Sequence, residues 1–314
     1  MLLYTIRRAG LAVAILLVSM VILFSLVYLV PGDPASIALG PRASQAMKDM
    51  LRAKMGLDQP IFMQLVHFVL NVLRGDLGID VWSNRSVTTI VAEALPHTLA
   101  LTLLGIGWAI LLGVPLGAYS AVHRNSVVDK FIGIFSVSAI AIPSFIVAIY
   151  SLLFISVRLR WLPAIGAGAE GDYMAQARHL ILPSFAVGLG WVGYLARLVR
   201  ASMLEVMGES HIRTARAFGL PERRIVYGYA LRIAILPTIA LLGVGIGNLL
   251  SGAVFAEIVF ARPGVGKLTY DAVITRNYPV VMGCVLVTTA LYILCTLLAD
   301  LISAWFDPRV RASF

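Results

Sequence analysis

The chain has 314 residues, 60% of them hydrophobic and only 13% charged, with a mean hydropathy of +0.90. A water-soluble domain is closer to half apolar and a quarter charged, so this balance excludes an aqueous fold and makes the bilayer the solvent. The formal charge of +9 comes without an aromatic-and-basic binding module, which argues against a nucleic-acid partner. Basic residues in such a chain belong to cytoplasmic loops and set orientation.

From the N-terminus, Arg7 and Arg8 precede an apolar run over 9–30. The run is longer than a signal-peptide core and ends in Pro31-Gly32-Asp33-Pro34 rather than a small-residue cleavage site. It reads as a retained first transmembrane helix, with Asp33 capping the turn that follows. Six segments are apolar over the roughly 20 residues that a span needs: 9–30, 97–121, 131–157, 180–203, 236–260 and 280–304. Organisation follows from them: a first span over 1–30, an external segment over 31–96, a five-helix core over 97–306 containing a loop at 204–235, and a tail at 307–314. Within the external segment, 45–55 and 60–73 have amphipathic helical spacing, with Phe62, Leu65, Val66, Val69 and Leu73 on one side and Gly75 as a stop. Short helices against the outer surface of the bundle are expected there.

Arg124 and Lys130 follow the second span, and Arg197, Arg200, Arg213, Arg216, Arg223, Arg224 and Arg232 cluster between the fourth and fifth. With Arg7 and Arg8 at one end and Arg309 and Arg311 at the other, both termini are expected in the cytoplasm. The external segment carries six basic residues, but at about 65 residues it translocates largely regardless of charge.

Several patterns imitate chemistry. Gly188-Leu189-Gly190-Trp191-Val192-Gly193 matches a dinucleotide fingerprint, yet it lies inside an apolar span, where small residues serve close helix packing. Gly113, Gly117, Gly243, Gly245 and Gly247 read the same way. Gly264-Val265-Gly266-Lys267 resembles part of a phosphate loop, but Ala261 and Leu268 occupy positions that the motif reserves for glycine and Ser or Thr. The five histidines are scattered without metal-ligand spacing. Cys284 and Cys295, about 16 Å apart along one helix, are beyond disulfide reach and read as packing residues.

The informative stretch is Glu209-Ser210-His211-Ile212-Arg213-Thr214-Ala215-Arg216-Ala217-Phe218-Gly219-Leu220-Pro221-Glu222-Arg223-Arg224. Ser210 is suited to cap a helix start, Gly219 to close that helix in a left-handed conformation, and Leu220 to make the apolar contact after it. Pro221 suits the first turn of a second helix, with Glu222 near its positive end. The result is a short helix, a tight turn and a longer helix returning to the membrane. Small alanines and charge-assisted donors make it a docking knob for a cytoplasmic partner. The plainer alternative is that its arginines only enforce orientation and touch anionic lipid headgroups.

Arg213-Thr214-Ala215-Arg216-Ala217-Phe218-Gly219-Leu220, with Ala230-Leu231-Arg232 and Leu236-Pro237 after it, resembles the cytoplasmic EAA loop of bacterial ABC importer permeases, in particular the dipeptide, oligopeptide and nickel branch. Arg213-Thr214-Ala215 replaces the common Glu-Ala-Ala start, and Phe218 stands where that branch often has lysine. Collinear resemblances include Val30 to Pro34, Gly56 to Pro60, Gly75 to Gly78, Ala141 to Phe145, Pro263 to Gly266, Arg276 to Pro279 and Asp307 to Arg309. At Arg276-Asn277-Tyr278 the family often has an aspartate in the middle position.

The resemblance implies an all-α polytopic membrane protein, a MetI-like permease bundle of about six transmembrane helices with a cytoplasmic coupling loop. It implies binding-protein-dependent import of di- or oligopeptides, or of nickel or glutathione, across the inner membrane. The implied partners are a second homologous permease in a heterodimer, two ATP-binding subunits and a periplasmic substrate-binding protein. ATP and Mg would sit on those partners, with no cofactor, metal or catalytic residue on this chain. The coupling residues it implies are Glu209, Arg213, Thr214, Ala215, Arg216, Ala217, Gly219, Leu220 and Pro221.

Polar residues inside spans are pathway candidates. Asn248, Ser251 and Glu257 lie in or near the fifth span; Glu257 either helps gate the pore or hydrogen-bonds to neighbouring helix ends. Asp300 is expected to pair with a loop arginine. A secondary transporter would need inverted repeats or midplane ionisable groups, and a membrane-embedded enzyme would need clustered His, Asp or Glu; neither pattern is clear in the sequence.

Overall fold

A computed structural model of the chain describes residues 2–29, 43–55 and 58–306. The Val30 to Pro34 turn with Asp33, Gly56 and Leu57, and the tail with Asp307 to Arg309 and Arg311 lie outside the described residues. In chain order the helices are α1 (Leu2–Leu29), α2 (Gln45–Met55), α3 (Ile61–Leu73), α4 (Val87–Val122), α5 (Val127–Ala141), α6 (Ser144–Ser151, running on π-helically over Leu152–Arg158), α7 (Tyr173–Met207), α8 (Ser210–Ala217), α9 (Glu222–Ala234), α10 (Leu236–Val259), α11 (Val265–Ile274) and α12 (Tyr278–Phe306). Among the described residues no strand forms beyond one isolated bridge, Ile79 to Ser86.

Four helices, α1, α4, α7 and α12, are long and apolar enough to cross a bilayer, and up to six spans result if bent helix pairs are counted as one each. The third expected span, 131–157, is not straight. α5 and α6 meet at an angle of 97°. Ile142 is extended (ψ 119°), as the steric demand of the following Pro143 requires, and the helix restarts at Ser144. The second span begins at Val87, ten residues before the expected start at His97, and carries Pro96 in its interior. The first turns are held despite the proline because Val87, Val91 and Ala94 are buried against Val265, Ala272, Val280 and Cys284; tertiary burial outweighs the lost backbone bond.

α4 and α7 form the central pair. They approach closely through glycine: a Cβ on Gly188 would lie 2.5 Å from the Gly105 carbonyl, and one on Gly117 would lie 2.5 Å from that of Ala196. The glycines that imitate a dinucleotide motif are thus packing residues, as are Gly243 against Ala299 and Gly247 against Tyr292. Pro183 inside α7 has no N–H to offer the His179 carbonyl, and Arg262 fills that vacancy, donating to it at 3.2 Å.

The periphery departs in detail from the sequence reading. α3 turns Leu65, Val66, Phe68, Val69 and Val72 partly inward, with Phe68 5.9 Å from Phe24 of α1, whereas Phe62 and Leu73 are exposed. Asp300 pairs at 2.8 Å with Arg8 of α1, not with a loop arginine, because α1 packs along α12 and brings the two charges together.

Candidate functional site

The stretch from 208 to 235 forms a compact helix, turn and helix at the end of α7. Only Gly208 and Glu209 separate α7 from α8. Ser210 is the first residue of α8 rather than its cap; Glu209 takes the cap position in extended backbone and makes no side-chain capping bond. Gly219 has φ +71°, the left-handed geometry that glycine adopts without steric cost. The Gly219 N–H donates to the Arg216 carbonyl at 2.9 Å and the Leu220 N–H to that of Ala215 at 3.3 Å. These two bonds are a complete Schellman closure. Leu220 packs on the cluster that contains Ala215, supplying the apolar contact of that motif. Pro221 sits at the cap of α9, one position before its first turn, and α9 turns π-helical over Ile225–Ala230.

The two faces of α8 differ in chemistry. Ile212 and Ala215 are buried among Val114 and Ala118 of α4, Val199, Met203 and Val206 of α7, and Ile225 and Val226 of α9. Arg213, Thr214, Arg216, Ala217 and Gly219 are exposed, and Phe218 is 82% exposed. Arg216 forks onto Glu222, Nε to Oε2 at 3.2 Å and Nη2 to Oε1 at 2.7 Å. That hydrogen-bonded carboxylate holds the guanidinium pKa above its ordinary value. The knob therefore has a self-satisfied backbone, an anchored inner face and an apolar tip ringed by cations.

The three pathway candidates do not come together. Asn248 and Ser251 are exposed on α10. Asn248 lines a cavity of about 430 Å³ with Ile142 and Pro143 at the α5–α6 break and Trp191 and Tyr194 of α7. Ser251 lines a separate groove of about 490 Å³ with Thr98, Tyr270, Thr288, Thr289 and Tyr292.

Glu257 is fully buried and lines neither space. It accepts from Thr98 Oγ1 at 2.6 Å, from the Lys267 N–H at 3.0 Å and from the Gly266 N–H. Thr98 Oγ1 in turn accepts from the Val265 N–H at 2.8 Å. One carboxylate and one hydroxyl thus satisfy three N–H groups at the start of α11, where the helix dipole also favours negative charge. The glycines at 264 and 266 make room for it: a Cβ on Gly264 would fall 2.1 Å from the Glu257 carboxyl, and one on Gly266 2.9 Å from Oε2. The segment that resembles a phosphate loop cradles an internal carboxylate.

Sequence reasoning missed two further polar junctions. Arg200, counted with the loop arginines, lies inside α7 and forks onto Asp129 of α5 at 2.7 and 2.8 Å. Asp129 stands three residues after the helix-capping Ser126, a spacing that reads as a local cap and gives no hint of a distant partner. Just before α12, Asn277 donates to Asp80, which also accepts from the Trp82 N–H at 3.0 Å and from Ser83. Burial pushes the Asp80 carboxyl upward, but these hydrogen bonds outweigh it and hold it below the usual carboxylate value. Among the described residues no group of three or more His, Cys, Asp or Glu converges on a metal-sized space.

Residues 113–312 match the family described as the binding-protein-dependent transport system inner membrane component, and residues 1–102 match the N-terminal family of such membrane components. The chain is 38% identical over 311 residues to the glutathione transport system permease protein GsiC of Pectobacterium atrosepticum, with 99% of each chain covered. It is 36% identical over 312 residues to the protein of the same name from Escherichia coli K12, again with 99% of each covered. Its fold is similar to a chain of the MetNI methionine ABC transporter in an inward-facing conformation, with a TM-score of 0.56 at 20% identity, covering 69% of this chain and 96% of that one. The spans and these matches agree: the chain belongs to the binding-protein-dependent transport system inner membrane components and is a multi-pass permease of an ABC importer.

Proposed function

We propose that this permease imports a short peptide, and that the buried-inside, cationic-outside helix α8 is where an ATP-binding subunit grips it. The observation that carries the reading is the construction of α8: its inner face is packed on α4 and α7, so a pull on the exposed face moves the ends of two membrane helices together. ATP acts as the differential ligand for one state of a bistable bundle, through subunits that hydrolyse it while this chain catalyses nothing itself. A second, homologous permease completes the pore, two ATP-binding subunits drive it and a periplasmic binding protein delivers the solute. Arginines at the α8 and α9 end support a cytoplasmic location for that end and for both chain termini. The near full-length likeness to glutathione permeases supports glutathione, itself a tripeptide, as the first solute to test. Asn248 and Ser251 are the pathway candidates on α10, whereas Glu257 is a lock at the outer end of the bundle.

The test is purification of the tagged chain from membranes in mild detergent, followed by mass spectrometry and an ATPase assay. A second permease and ATP-binding subunits co-purify, and Gly219→Pro abolishes ATPase stimulation by the loaded binding protein while the chain remains in the membrane. Uptake that persists without ATP and follows the proton gradient would replace this reading with a secondary transporter.

A further inference from the structure

The carboxylate of Asp129 is only 6% exposed and accepts four hydrogen bonds, from Arg200 Nε at 2.7 Å, Arg200 Nη2 at 2.8 Å, the Asn125 N–H at 2.9 Å and Ser120 Oγ. Those donors come from α7, from the turn between α4 and α5, and from the last turns of α4, and they use the whole acceptor capacity of the group. Capping of α5 does not require this arrangement. Ser126 Oγ already accepts the Asp129 N–H at 3.1 Å, and a side chain serving only its own helix start needs no guanidinium from another span.

Arg200 sits on the segment of α7 that receives the coupling helix. Its neighbours Val199 and Met203 are in the same buried cluster as Ile212 and Ala215 of α8. Asp129 opens α5, and α5 ends at Ile142 and Pro143, which line the cavity shared with Asn248. Halfway along, α5 touches α7 again, where a Cβ on Gly193 would lie 2.5 Å from the Ser136 carbonyl. Two fixed points make α5 a strut of α7, and the cytoplasmic one is the ion pair.

Resting on the importer reading above, we propose that Asp129 is a positioning residue that yokes α5, and with it the broken-helix wall of the Asn248 cavity, to coupling helix α8 through Arg200. When α8 is carried by its ATP-binding subunit, α4 and α7 follow through apolar packing. α5 follows at its cytoplasmic end because a bidentate, charge-assisted pair on a buried carboxylate resists separation more than sliding aliphatic contacts do. The yoke converts a cytoplasmic displacement into a change at the Pro143 break.

The experiment places spin labels on the full complex at Ile134→Cys on α5 and Ser210→Cys at the start of α8, both exposed, with Cys284→Ala and Cys295→Ala. Distances are compared between the nucleotide-free and ATP-vanadate-trapped states. In the parent the α5–α8 distance changes by no more than about 2 Å between states; in Asp129→Asn, with ATPase activity retained, it changes by about 5 Å as α5 lags. Arg200→Lys, which keeps the charge and loses the fork, restores the parent behaviour in part. An unchanged α5–α8 distance in Asp129→Asn overturns the proposal. So does loss of complex assembly in both Asp129→Asn and Arg200→Lys, since that marks a purely structural pair. Failure of any ATP-binding subunit to co-purify with the parent would sink the importer reading itself, and the yoke with it.

Discussion

At one end of the bundle, Glu257, Thr98 and Arg262 turn their polar atoms inward, onto the start of α11 and the carbonyl left free by Pro183. At the other end, α8 satisfies its own backbone through the Gly219 closure and leaves Arg213, Arg216 and Phe218 outside. Both regions are rich in glycine and charge, so composition does not separate them. Buried groups whose partners are all internal hold helices in register, whereas a self-closed helix presents exposed cations and an apolar tip to its surroundings.

Five substitutions test that contrast, taken from the largest expected effect downward. Gly264→Val drives a side chain into the Glu257 carboxyl and its capping bonds. A destabilisation of about 3 kcal/mol or more is expected from overpacking together with the lost cap, visible as a lowered melting temperature in detergent. Gly219→Pro, by contrast, is expected to abolish ATPase coupling with little change in that melting temperature, because proline cannot adopt φ +71° and the docking helix is reshaped outside the bundle. A large fall in melting temperature here would erase the distinction between lock and knob.

Thr98→Val removes both the donor to Glu257 and the acceptor of the Val265 N–H. About 1–3 kcal/mol of stability is expected to go, measured by thermal unfolding of the purified chain, with ATPase stimulation of the surviving complex preserved.

Asn277→Asp tests the Asp80 junction by pH. The Asp80 pKa is depressed in the folded state, so the stability it contributes is present above its unfolded value of 3.8 and is lost as pH falls through the folded value. A second carboxylate facing it is expected to cost about 1–2 kcal/mol at neutral pH. That deficit closes as acidification toward pH ~4 neutralises one partner, which melting curves over that range will show. The smallest effect is Glu222→Gln, which frees Arg216 on an exposed surface and is expected to change stability by less than about 1 kcal/mol.

Much of this was legible in the chain. Span count came from apolar length, and the α8 turn from Gly219, Leu220 and Pro221 in sequence. Glycines inside apolar runs were readable as packing sites. Asn248, Ser251 and Glu257 were recognisable as polar residues in an apolar context, but not as members of three different environments. Facing direction on α10 depends on what α4, α7, α11 and α12 place against it, and no local pattern carries that. The break at Ile142-Pro143 was available as a proline rule; the 97° angle was not, since the angle follows from what α6 packs on.

The solvent, the all-helical class and the Gly219 turn follow from the amino-acid sequence alone, because each depends on local composition or on backbone preferences over a few residues. Only the tertiary structure decided that Asp129 holds Arg200, that Glu257 caps α11, that Arg262 answers Pro183 and that Asn277 meets Asp80. Except for Glu257 and α11, the partners are far apart in the chain, and a buried polar group takes whatever donor or acceptor the packing of helices delivers, since leaving it unpaired costs more than any local preference can return.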